Sequence, residues 1–142
     1  MREILFRGKR TTKNEFVYGS LYVCGRKDGK CEIANYNREV NIERFAYDVI
    51  PETVGQYTGL TDKNGNKIFE GDIVKEEDCV HNGEVQIYGR KWVVYFDKGF
   101  FFGWRKGYKS CGLSKFIPNI SGIEIIGNIH DNPELLKEAE QE

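Results

Sequence analysis

The amino-acid sequence predicts an all-β protein that ends in one short helix. Three observations carry this. Polar and apolar residues alternate with period two along most of the chain, and the apolar positions favour β-branched and aromatic residues. Aromatics make up 13% of the composition. Sixteen glycines, several beside Asn or Asp, punctuate the chain at short intervals, as turns between short strands require.

Taken in order, strands are expected over 2–7, 15–24, 30–36 and a short piece near 40–42. An irregular connection over 45–50 is stopped by Pro51. Strands resume at 53–58, 67–69 and 72–76. Between them Asn64-Gly65 marks a hairpin tip, read as a type I′ turn with positive φ at both central residues, and Glu70-Gly71-Asp72 marks a second turn. The longest strand is expected over 83–97, with a bulge at Gly89-Arg90, and a polar loop over 76–83 precedes it. A strand at 100–105 returns across a three-residue loop, Asp97-Lys98-Gly99. The last strand covers 122–129, where Gly127 signals a bulge or a close backbone approach. Asp131-Asn132-Pro133-Glu134 then opens the helix: Asn132 is the N-cap, Pro133 takes the first helical position, and Glu134 suits the positive end of the helix dipole.

At 142 residues the chain fits one domain, 1–142, with a subdivision near Pro51 into an N-terminal sheet (1–51) and a second part (52–142). The even strand spacing of the second part suggests a small, partly open barrel of SH3-like kind, with extra N-terminal strands before it. No window of 18 apolar residues is present, so no membrane-spanning helix is expected. The first residues lack the apolar run of a secretory signal, and a cytoplasmic location is expected. In a reducing cytosol the four cysteines, Cys24, Cys31, Cys79 and Cys111, read as free thiols. Cys24 and Cys31 bracket a hairpin tip and are candidates to face each other. Only Cys79-Val80-His81 brings two metal-ligating residue types together, so neither metal nor cofactor is expected.

The formal net charge of −1 excludes a whole-protein field that would attract nucleic acid or membrane. Its distribution is uneven. Residues 86–116 carry seven Lys/Arg against one acidic residue, and residues 120–142 carry one against six.

Three constellations bear on function. No Gly-x-Ser-x-Gly element occurs, and the two histidines, His81 and His130, have no separate nucleophile set beside them, so no catalytic residue is expected. Asp62, Glu70 and Asp72 flank the central turns. Their ordinary role there is to bond nearby backbone N–H groups; a divalent-metal enzyme site is the sharper reading and the weaker one. The stretch 88–116 interleaves cations with aromatics. Its candidate interaction surface is Tyr88, Arg90, Lys91, Trp92, Phe101, Trp104, Arg105, Lys106 and Tyr108. Such alternation is first what a half-buried hairpin demands, next a protein contact, and third a track for single-stranded nucleic acid.

Three segments, Met1 to Arg7, Gln56 to Val74, and Ile125 to Leu136, resemble the YopX family of phage and prophage proteins; the middle one is the specific signature. The stretch from Gly8 to Asn14 departs from the family's usual continuation. The resemblance implies a β-rich fold, a phage or prophage origin and a tendency to form homo-oligomers, with no catalytic residue. The expected function is therefore a protein-binding or assembly module whose partners are other copies of itself and a host or phage protein. A nucleic-acid-binding module is the alternative and a small metal-dependent enzyme the second alternative.

Overall fold

The computed structural model describes residues 3–23, 29–37, 42–76, 79–86, 90–97, 100–104, 111–112 and 122–135, in two compact units, Met1–Gly59 and Leu60–Glu142. The fold is all-β and antiparallel, as the alternation predicts. In the first unit β1 (Phe6–Lys9), β2 (Phe16–Val23), β3 (Cys31–Asn37) and β4 (Ile42–Val49) are followed by a 3-10 turn (Pro51–Thr53) and β5 (Gly55–Thr61). They lie in the order β4-β3-β2-β1-β5, and β6 (Lys67–Phe69) belongs to the second unit.

One face of this sheet is a small core. Ile33 is 1% and Val49 2% exposed. Gly8 lies against both, since a Cβ there would stand 3.0 Å from Val49 and 3.1 Å from Ile33. The sheet coils so that the far strand meets the first: Ile50 N–H donates to Lys9 O at 2.8 Å and Thr11 N–H to Asp48 O at 3.0 Å. The 3-10 turn is fastened to the same corner. Lys9 N–H donates to Thr53 Oγ1 at 2.9 Å, and that hydroxyl donates to Ile50 O at 2.6 Å.

The second unit holds β7 (Asp72–Glu76), β8 (Cys79–His81), β9 (Glu84–Gln86), β10 (Lys91–Asp97), β11 (Phe100–Trp104), β12 (Cys111–Gly112) and β13 (Ile123–Asn128). Among the described residues five form a sheet in the order β12-β11-β10-β7-β13, and β8 and β9 form a two-stranded sheet. Among the described residues this sheet is open, with β12 and β13 at its edges; it is not a closed barrel. Its core is Ile68, Val74, Trp92, Val94 and Ile123, with Leu60 and Ile125 packed against it. Among the described residues no helix is long and apolar enough to cross a membrane.

Several local expectations are corrected. The segment 45–49 is the greater part of β4, and Ile50 follows it: Ile33 pairs with Tyr47 and Cys31 with Val49. Val23 is the register partner of Cys31 on β2, and Cys24 lies outside the described residues. His81 lies in a strand, and β8 and β9 are joined by Asn82-Gly83, with φ of 54° and 77°. Positive φ at both central residues is the type I′ condition, so the type I′ hairpin is here rather than at Asn64-Gly65. At Asn64-Gly65 the glycine alone has positive φ, 82°. Gly65 N–H donates to Asp62 O at 3.0 Å and Asp62 N–H to Asn66 O at 2.8 Å, a type I turn followed by a left-handed glycine. Asp97 pairs directly with Phe100, so two residues rather than three connect β10 to β11. The bulge at Gly127 is present as a register shift between Ile125 and Gly127. Helical backbone begins at Glu134 and Leu135, and the rest of the expected helix lies outside the described residues.

Candidate functional site

The expected surface over 88–116 divides. Trp92 is 4% exposed and belongs to the core, because it faces Val74 across β10 and β7. This corrects its assignment to an interaction surface: alternation placed it on the buried face of the strand. Arg90 and Lys91 are half-buried. Phe101 and Trp104 occupy β11, opposite Phe96 and Val93. Tyr88, Arg105, Lys106 and Tyr108 lie outside the described residues.

Two of the acidic residues of the central turns, Asp62 and Asp72, are committed to the backbone. Asp62 is only 4% exposed. Its Oδ1 accepts the N–H groups of Asn64 at 3.0 Å and Asn66 at 2.9 Å. Its Oδ2 accepts the Ile125 N–H at 3.2 Å and the Asn66 side-chain amide at 3.4 Å. Burial pushes the Asp62 carboxyl up, but the N–H of Ile125, those of Asn66 and Asn64, and the Asn66 amide together outweigh burial and hold it below its ordinary value. Asp72, 2% exposed, accepts the Phe69 N–H at 2.7 Å. Both are turn residues in the physical sense: their oxygens satisfy donors that the turns would otherwise leave open.

A surface that sequence reading missed lies on β2. Tyr18 and Tyr22 are 46% and 44% exposed. They are four residues apart on one strand and therefore share a face with Ser20. Register extends that face: Tyr22 is opposite Glu32 on β3, and Glu32 is opposite Asp48 on β4. Like charges directly opposite one another repel. No cation pairs with either carboxylate among the described residues. At the other end of the face, Arg7 is opposite Tyr18 and Lys9 opposite Phe16. Both cations are largely buried and lie over the Phe16 ring, at 4.6 Å for the Arg7 guanidinium and 5.5 Å for the Lys9 ammonium. Arg10 stacks on Tyr47 at 4.4 Å and pairs with Glu15 at 2.7 Å. The signal available in the sequence was the spacing Tyr18-x-Ser20-x-Tyr22, polar or amphipathic at every second position.

The YopX protein family model matches residues 5–137. The chain belongs to the YopX family. The match takes in the Asp62 turn, the β13 bulge and the residues that follow it, so the geometry above describes a YopX domain. This YopX chain is also similar to the crystal structure of protein EF1440 from Enterococcus faecalis. The two are 26% identical, with a TM-score of 0.59, and the likeness covers 96% of this chain and 99% of the other. No curated protein matches the chain.

Proposed function

We propose that this YopX protein is a phage- or prophage-encoded binding module that acts in the bacterial cytoplasm as a homo-oligomer, through an exposed surface rather than through covalent chemistry. The observation that carries the reading is the open face of β2. Tyr18 and Tyr22 present amphipathic rings beside Glu32 and Asp48, two opposed carboxylates that no cation among the described residues pairs with. Tyrosine supplies large contact area at low entropic cost, and a partner's Lys or Arg would relieve the carboxylate repulsion. The chain itself carries seven Lys/Arg between residues 86 and 116, so a second copy can supply that cation. The engagement of Asp62 and Asp72 by backbone N–H groups favours this reading over a metal-dependent enzyme on the same carboxylates.

The test is retention of tagged wild-type protein and of a Tyr18→Ser/Tyr22→Ser variant by immobilised, untagged wild-type protein, with and without nuclease. Nuclease-insensitive retention of the wild type and its loss in the variant are expected. Retention that nuclease abolishes would replace this reading with nucleic-acid binding.

A further inference from the structure

We propose that the turn Asp62 to Asn66 is an edge guard, which covers the outer edge of β13 and prevents a second copy of this chain from adding its own β13 there. The edge needs such cover. β13 reads Ile123-Glu124-Ile125-Ile126-Gly127-Asn128, three isoleucines with one charge, and it lies at the end of the five-stranded sheet. Apolar edge strands of this composition template further pairing. The same edge on two copies is self-complementary about a twofold axis.

The hydrogen bonds show how the cover works. In an antiparallel pair, alternate residues direct their backbone groups to opposite sides. Ile123, Glu124 and Ile125 are in register with Glu76, Lys75 and Val74 of β7, and the hydrogen bonds of Ile123 and Ile125 to the turn put their backbone groups on the side away from β7. There the turn meets them. Lys63 N–H donates to Ile123 O at 2.9 Å, and Ile125 N–H donates to Asp62 Oδ2 at 3.2 Å. One backbone N–H and one carboxylate thus stand in for the donor and the acceptor of a neighbouring strand. The single charge on the edge is engaged too, since Lys63 Nζ lies 3.6 Å from Glu124 Oε2. Immediately beyond, the register shift between Ile125 and Gly127 breaks the regular edge. This inference is independent of the proposed β2 interface, because it concerns an increase in assembly over whatever state the wild type adopts.

The test removes the guard and leaves the turn. Lys63 holds the second position of a type I turn, where proline is favoured, so Lys63→Pro keeps the turn while deleting both guard contacts of this residue, the N–H that meets Ile123 and the ammonium that meets Glu124. Asp62→Asn keeps an acceptor for the turn amides and can turn an amide donor toward the Ile125 N–H. Light scattering should show the Asp62→Asn/Lys63→Pro variant heavier than wild type at equal concentration. Adding Ile125→Pro, which removes an outward N–H of β13, should restore the wild-type mass. A cooperatively melting double variant with the wild-type mass would overturn the proposal. So would a heavier species that Ile125→Pro leaves unchanged. If the double variant does not melt cooperatively, Lys63→Pro alone is titrated to high concentration. There a rise in mass above wild type supports the guard, and an unchanged mass overturns it.

Discussion

A Cβ on Gly127 would stand 2.5 Å from Oδ1 of Asn132 and 2.9 Å from its Cγ. The two residues are held in this approach by the turn between them. Asn132 N–H donates to Asn128 O at 2.9 Å, and Asn132 Oδ1 accepts the Asn128 N–H at 3.3 Å. The Asn132 carboxamide therefore turns back onto β13, while its backbone C=O accepts the Leu135 N–H at 3.1 Å. Strand end and helix start are joined through one side chain that needs the space of a missing one. Gly127→Ala is expected to lower stability by roughly 1–3 kcal/mol, the usual cost of overpacking a fitted contact. Asn132→Gly in the same background should recover part of the loss, a non-additivity that urea titrations of the two single variants and the double variant measure.

Gly65 presents the opposite case. Its φ is 82°, yet a Cβ there meets nothing within 4 Å. Any penalty for a substituent is then conformational rather than steric. Gly65→Val should cost roughly 1–3 kcal/mol, and Gly65→Asn much less, since Asn tolerates the left-handed region. Equal melting temperatures for the two variants would contradict this account of the turn.

Asp62 gives a pH signature. Its folded-state pKa lies below the unfolded value of about 3.9. The ionised carboxylate therefore contributes stability that is fully present above that unfolded value and is lost as pH falls through the depressed folded value. Asp62→Ala leaves the Ile125, Asn64 and Asn66 donors unmatched. It is expected to cost about 2–3 kcal/mol near neutral pH, in line with bonds to a charged acceptor. Denaturant midpoints of the wild type should fall more steeply than those of Asp62→Asn as pH is lowered from about 5 to about 2. Parallel pH dependences would show that Asp62 is not the group concerned.

The basic stretch supports a further expectation. Trp92 is a core residue, which removes one aromatic platform from residues 88–116. The six acidic residues in 120–142 oppose phosphate. Fluorescence anisotropy with single- or double-stranded DNA or RNA should show no submicromolar binding at about 0.15 M salt, where the Debye length is about 8 Å. Truncation after Asp131 should expose only weak, salt-sensitive, sequence-independent binding. Submicromolar affinity of the full chain would promote the nucleic-acid reading.

What could be read from the sequence was what short-range chemistry decides. Lys67–Phe69 and Asp72–Glu76 fall where the turn residues around them place them, and Gly127 marks its bulge. β4 was missed because Ala46 and Asp48, poor strand formers, occupy alternate positions; cross-strand pairing with β3 overrides their local preference. β8 was missed although Asn82-Gly83 is the same dipeptide as Asn64-Gly65. The two differ in φ at the asparagine, and the partner strands that set this are outside the reach of a local rule. Turn roles for Asp62 and Asp72 were legible. The Asp62 to Ile125 bond was not, since it spans 63 residues of sequence. Nor was the open β2 face, because alternation alone does not say which of two faces meets water.

The central claim is that the exposed β2 face joins copies of this chain. Multi-angle light scattering across micromolar concentrations tests it most directly. The wild type is expected at a mass of two or more chains of 16.4 kDa each, and the Tyr18→Ser/Tyr22→Ser variant at 16.4 kDa itself with an unchanged circular dichroism spectrum. A wild-type mass of 16.4 kDa throughout that range, or a variant as large as the wild type, would contradict it.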